Sequence, residues 1–480
     1  MSEITVRVHQ NKYLPAAAGR GEMHAIVTVA ARGLGPAAAH TEASEVIVID
    51  CSSSMSWPPT KIAAARRATA AAVRLLRDGT RFAIVEGTEQ ARVAFPSGGE
   101  LAVAGPDSKE RAVRAAYRLD ATGGTAMATW LARAGELHAA HRVPIRHTLL
   151  LTDGKNEHDP PGRLDEVLAD CAGRFICDAR GIGEDWDQAE LRRIAAGLHG
   201  RADAVRDDSD LEAEFRALVS SAMAKSLAQV RLVVRHRAGS ELRFVRQVHP
   251  TRADLTGQGG YGDGVGDGRT WSYSAAAWGD EVREYHVCLT ADPDGDPVDQ
   301  DVELAAVELE PTGEAAPPAP EPASVLVRWT KDPPPFLSAD PSLAHYDAQA
   351  ELADAVAEGC AAYDRGDREK ARRLWGRAAG LAHTTGDGRV LARLARLVRI
   401  VDAPAGVVEL RDDFQAIDLS SILVINDESR RPPGGEDEPA QERPADPPPD
   451  LVCAACGRVN PGDAAYCEEC NSPLRAGPPA

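Results

Sequence analysis

The run E-V-I-V-I at positions 45–49 limits the fold more than any other part of the chain. It is β-branched and apolar, without Gly or Pro, the pattern of a strand buried on both faces of a parallel sheet. Asp50 then stands at that strand's carboxyl end, with Ser52 and Ser54 in a short loop behind it. Pro58, Pro59 and Thr60 set the start of an Ala-rich helix over about 61–77. A second loop, A-T-G-G-T at 121–125, carries Thr125 after two glycines that let the backbone approach a ligand closely. A further apolar strand at 147–151 ends in T-D-G and places Asp153. All three loops fall at strand carboxyl ends, where open α/β sheets bind ligands.

Asp50, Ser52, Ser54, Thr125 and Asp153 offer two carboxylates and three hydroxyls, with no Cys or His among them. Oxygen ligands alone favour Mg²⁺, Ca²⁺ or Mn²⁺ over zinc or copper. Because the hydroxyls are neutral, the ion keeps net positive charge and a vacancy for an acidic group from outside. The alternative, that these residues merely cap helices, explains each loop singly but not their joint pattern. D-C-S-S-S, G-G-T and T-D-G together resemble the metal-ion-dependent adhesion site of von Willebrand factor type A domains, with every position of that motif matched. The resemblance runs over about 43–222 and includes R-G-I-G-E-D at 180–185 and a closing helix, strand and helix over 191–211. It implies a doubly wound parallel sheet whose Mg²⁺ bridges to an Asp or Glu of a partner. In that scheme Ser52, Ser54 and, with ligand engaged, Thr125 touch the metal, while Asp50 and Asp153 act through water.

At the other end of the chain, Cys453 and Cys456, then Cys467 and Cys470, form two C-x-x-C pairs with ten residues between them. That spacing offers Zn²⁺ four sulfurs in a closed, structural site, and the segment resembles the short zinc ribbons of prokaryotic proteins. Such a module buries little apolar surface and depends on its metal to fold; disulfide pairing is the competing reading. Cys51, Cys171, Cys177, Cys288 and Cys360 read as scattered, reduced and mostly buried thiols.

The N-terminus alternates like a strand and lacks a signal peptide's apolar core, and no run of ~18 apolar residues suggests a membrane span. The chain therefore reads as cytoplasmic, and its heavy use of Arg and Ala with little Lys suggests a GC-rich bacterial genome. A formal charge of −19 argues against general nucleic-acid binding.

The expected organisation is an α/β doubly wound parallel sheet at 43–225, inserted in or flanked by an antiparallel β-sandwich. The sandwich is drawn from 1–40 and from alternating runs over 226–332. A tetratricopeptide-like helical hairpin follows at 340–403; a single such unit builds no solenoid, so it packs on a neighbour or a partner. An acidic, Pro-rich tether at 427–450 leads to the zinc ribbon at 451–475. The G-x-G-x-x-G at 257–262 runs on into a Gly-rich loop and then a strand, so it is no nucleotide site. No triad or Cys and His pair is placed for nucleophilic work. The expected function is non-enzymatic partner binding through the cation. Two alternatives are a regulatory role beside a MoxR-type AAA+ ATPase, as the resemblance implies, and Mg²⁺-dependent hydrolysis.

Overall fold

The computed structural model describes residues 2–34, 41–258, 260, 261, 268–275, 277–312, 316–331 and 340–432, then 451, 452, 454, 456, 459 and 460. Residues 1–437 form one compact unit and 438–480 a second.

The first unit opens with β1 (Glu3–Gln10), β2 (Tyr13–Pro15) and β3 (Gly21–Arg32). Next come β4 (Ala43–Asp50), α1 (Thr60–Leu75), β5 (Arg81–Gly87), β6 (Ala91–Phe95), β7 (Ala102–Val103), α2 (Pro106–Ala116) and α3 (Met127–Ala139). The α/β part closes with β8 (Ile145–Thr152), α4 (Arg163–Cys171), β9 (Ile176–Ile182), α5 (Gln188–Gly197), β10 (Ala202–Val205) and α6 (Leu211–Met223). Its sheet has the order β10-β9-β8-β4-β5-β6, with β7 also on β5. Every residue of β4 is buried, because helices cover both faces. Ile47 and Ile49 pack with α1, α2 and α6, whereas Val46 and Val48 pack with α3, α4 and α5. The sheet is parallel from β10 to β5, but β6 and β7 run antiparallel to β5. The expected doubly wound parallel sheet is present, with two antiparallel strands added at its β5 edge. Only three residues, Thr88 to Gln90, join β5 to β6, too few for the crossover that a parallel pair needs.

The chain then forms β11 (Gln229–His236), β12 (Ser240–His249), β13 (Ala253–Asp254), β14 (Gly260–Tyr261), β15 (Thr270–Ser274), β16 (Glu281–Ala291), β17 (Asp301–Thr312) and β18 (Ala323–Thr330). One sheet has the order β1-β3-β16-β12-β13 and the other β14-β15-β11-β17-β18-β2. Their inner faces share one core in which Val27, Val29 and Val287 of the first meet Leu232, Val307 and Val325 of the second. β3, before the α/β part, pairs along eleven positions with β16, after it. Among the described strand pairs of the sandwich, β2 lies parallel to β18, because the chain leaves β1 in one sheet and crosses to the edge of the other.

The remaining elements are α7 (Pro341–Asp364), α8 (Arg368–Thr384), α9 (Gly388–Leu397), β19 (Val398–Asp402), β20 (Val407–Leu410) and α10 (Ala416–Val424). The expected hairpin is present as α7 and α8, with Trp375 fully buried and stacked on Tyr363 at 5.7 Å between ring centroids. It is not alone, since α9, the β19–β20 hairpin and α10 complete the layer. Asp203 at the end of the parallel sheet accepts from Arg389 and Arg393 of α9 at 3.3 and 3.0 Å. On the sandwich side, Tyr346 packs with Ile26 and Val248, and its hydroxyl donates to Glu284. The helices thus span both larger parts of the unit. Asp427, the first residue of the expected tether, accepts from both Nε and Nη2 of Arg192 at 2.6 and 2.7 Å; residues 433–450 lie outside the described residues.

In the second unit, β21 (Leu451–Val452) pairs antiparallel with β22 (Val459–Asn460). Cys456 is exposed; Cys453, Cys467 and Cys470 lie outside the described residues.

A candidate divalent-cation site at the strand carboxyl ends

Asp50, the last residue of β4, is wholly buried. Its Oδ1 accepts from the Ser52 amide at 2.8 Å and its Oδ2 from the Thr152 hydroxyl at 2.6 Å. The first bond folds the loop back on the strand end, which brings the Ser52 and Ser54 hydroxyls within 2.8 Å of each other. Ser54 donates to Asp153 Oδ1 at 2.6 Å and the Asp153 amide to Asp50 Oδ2 at 3.4 Å, so the loops after two neighbouring strands are tied together. The third loop is docked by backbone: Thr122 N donates to Cys51 O at 2.6 Å and Ser53 N to Gly123 O at 2.8 Å. Gly123 takes φ +87° in this turn, a conformation other residues rarely adopt.

A sharp indicator of how these groups converge is Gly154. A methyl group there would lie 3.2 Å from Thr125 Oγ1, 3.5 Å from Ser54 Oγ and 3.9 Å from Asp50 Oδ2. All five sequence-predicted residues are thereby gathered at one end of β4 and β8. The floor opens into a cleft of about 360 Å³, lined by Ser52, Ser54, Gly124, Thr125, His158 and Asp185 among others. Burial pushes the Asp50 carboxyl up to about 6, and hydrogen bonds from Ser52 and Thr152 only partly offset it. Two acids brought together in so little water call for positive charge.

Part of that charge comes from a residue the sequence reading passed over. Lys61, in the first turn of α1, is buried and donates to Asp153 Oδ2 at 2.8 Å. A lysine in a helix's first turn opposes the helix dipole, and that was the available signal. Also missed were Asn156 and Asp159, whose side chains accept from the amides of Met127 at 2.9 Å and Ala128 at 2.6 Å. They cap the start of α3 and so fix the loop that carries Thr125. His158 returns to the same loop, accepting at Nδ1 from Thr125 N at 3.2 Å. The cluster N-E-H-D at 156–159 was visible in the sequence; its partners were not. Cys51 is buried in the core beneath the loop, and burial raises its thiol far above the ordinary range.

The sequence matches the von Willebrand factor type A domain family over residues 45–204. A solved structure described as von Willebrand factor type A from Catenulispora acidiphila is 36% identical, covering 89% of this chain and 97% of that one, with TM-score 0.81. The chain belongs to the von Willebrand factor type A family. The fold is shared more distantly with the ArnB paralog VWA2 from Sulfolobus acidocaldarius, at 15% identity, 88% and 98% coverage and TM-score 0.53. An uncharacterized protein of Synechocystis sp. is 28% identical over 222 residues, which are 44% of this chain. The aligned region spans about half the length of that relative, 50%. Type A domains mediate protein–protein interaction and are typically not enzymes. They commonly bind a divalent metal. Among the described residues no helix is long and apolar enough to cross a membrane.

Proposed function

We propose that this type A domain protein is a non-enzymatic interaction protein whose partner presents an Asp or Glu side chain to a hard divalent cation, most readily Mg²⁺. Ser52, Ser54 and Thr125 would hold the ion directly, with Asp50 and Asp153 supporting it through hydrogen bonds or water. The observation that carries this reading is the convergence of Thr125 Oγ1, Ser54 Oγ and Asp50 Oδ2 around Gly154 on the floor of an open cleft. All the donors are oxygens, as a hard ion requires. The charges agree: Asp50 and Asp153 against Lys61 leave one net negative charge, so a divalent ion makes the floor positive and favours an incoming carboxylate. The domain supplies the ion with a shell and the partner supplies the last ligand. The ribbon cysteines Cys453, Cys456, Cys467 and Cys470 would hold a structural Zn²⁺, a reading supported by their spacing.

The test is capture of partners from the native lysate with Mg²⁺ or with EDTA, using the wild type and Asp153→Ala side by side. Because EDTA also strips a zinc site, the variant is the decisive arm. A partner lost with Asp153→Ala supports the reading, and a MoxR-type ATPase among the lost proteins would identify the client. A partner retained by Asp153→Ala would overturn it.

A further inference from the structure

We propose that Glu22, His24 and Cys288 form a second metal site, suited to Zn²⁺ or a similarly borderline divalent ion, on the outer face of the sandwich sheet that contains β3 and β16. The backbone register puts His24 directly opposite Cys288, and Glu22 lies two residues along β3 on the same face. His24 Nε2 stands 3.9 Å from Cys288 Sγ and 3.8 Å from Glu22 Oε2. The three ligand atoms all lie within 4.8 Å of one another. Tetrahedral zinc with ordinary bond lengths sets its ligand atoms roughly 3.3–3.6 Å apart, so the two His24 distances need shifts of a few tenths of an ångström, and rotation of the exposed Glu22 side chain would bring its carboxylate to the Cys288 sulfur. Thiolate, imidazole and carboxylate form a donor set for zinc and not for Mg²⁺, which separates this cluster chemically from the oxygen-lined cleft of the type A domain.

A fourth residue orients the ligands. His24 Nδ1 lies 3.0 Å from His286 Nε2, and His286 packs edge-on against Phe244 at 5.0 Å. With His286 Nε2 accepting in this contact, His24 carries its proton on Nδ1 and its Nε2 lone pair faces Cys288 and Glu22. Zinc-bound histidines are commonly held this way through their second nitrogen. Cys288 itself is buried; a bound ion would take it as the thiolate and release the thiol proton to solvent. Three protein ligands leave a fourth position for water or an exogenous donor.

The test uses the full chain carrying Cys453→Ser, Cys456→Ser, Cys467→Ser and Cys470→Ser, reduced and in excess Mg²⁺, so that the other two candidate sites do not report. Titration with Co²⁺ is expected to give one equivalent with the charge-transfer band of a single thiolate, and Zn²⁺ is expected to displace it. Cys288→Ser in that background removes the band and weakens Zn²⁺ binding at least about a hundredfold, and His286→Phe weakens it by about ten- to a hundredfold. Glu22→Gln, at an exposed position that leaves the fold intact, also weakens it, and Asp50→Asn does not. No thiolate band, a band that survives Cys288→Ser, or affinity unchanged in Glu22→Gln would each overturn the proposal.

Discussion

Two acidic clusters lie on the same parallel strands, and they are built in opposite ways. Toward the amino ends, Glu45 of β4 and Asp178 of β9 flank His147 of β8. His147 Nδ1 is 2.8 Å from Glu45 Oε1, and its Nε2 is 3.1 Å from Asp178 Oδ2. The Arg201 amide adds a bond to Asp178 Oδ1 at 2.7 Å. Burial works against the imidazolium, but the two carboxylates outweigh it and raise His147 to about 10. The same contacts overcome burial at Asp178 and hold it far below the carboxylate range. Both ring nitrogens are used, so this cluster is closed. At the carboxyl ends, Asp50 and Asp153 share hydroxyls and one lysine at the bottom of a cleft. Buried acids clamped on both sides of one imidazolium hold a sheet together, although at Glu45 burial still outweighs the His147 contact and keeps its carboxyl above the ordinary value. Buried acids met only in part, beneath an open cleft lined by hydroxyls, are the arrangement that the proposed cation site uses.

If that contrast is sound, the closed cluster is where stability is lost most heavily. His147→Ala leaves two buried carboxylates facing each other and should cost about 3–5 kcal/mol in urea unfolding. The pH dependence has a definite sign. The folded pKa of about 10 lies above the unfolded value of about 6.5. The stabilisation is therefore complete below pH ~6.5 and is lost as pH rises through ~10, with little such loss in His147→Ala. A variant as stable as wild type at pH 7 would erase the distinction. At the open cluster the effect belongs to the ion instead. Mg²⁺ at about a hundred times its Kd should stabilise the wild type by about 2.7 kcal/mol. It should leave Asp50→Asn unmoved, while that variant's metal-free stability changes by less than His147→Ala does. Thermal melting with and without Mg²⁺ separates the two, and equal losses in both variants would make the carboxyl-end cluster structural. The smallest effect falls on Lys61. Lys61→Met removes the cation beside Asp153, so the Mg²⁺-dependent stabilisation should grow by about 1 kcal/mol; a smaller Mg²⁺ response would show that the ammonium orients Asp153 for the ion.

What the sequence disclosed depended on how local the signal was. Asp50, Ser52 and Ser54 lie within five positions of one another, and T-G-G-T and T-D-G each sit in one loop, so these residues could be picked out one loop at a time. The sandwich strands were legible because one face of each is buried and the alternation of period two survives. The Glu45, His147 and Asp178 cluster was not, because each residue comes from a different strand and the register that joins them is a tertiary fact. Glu45 was read simply as the first letter of an apolar run. The helical layer was half visible: α7 and α8 show a helical period, but β19 and β20 are five- and four-residue strands with mostly exposed edges, too short for a pattern. Lys61 was hidden by its setting in an Ala-rich helix, where burial follows from the loops above it and not from its neighbours in sequence.

The pairing of β3 with β16 has a consequence for synthesis of the chain. Thr28, whose hydroxyl donates to Glu284, waits for a partner 256 residues later. While the ribosome makes the interval, β1 and β3 expose apolar faces with nothing to cover them, and the parallel sheet has time to close first. Closing a loop of that length costs entropy before any contact repays it. The sandwich is thus expected to be the slow step of folding, and its two earliest strands the segments most in need of a chaperone.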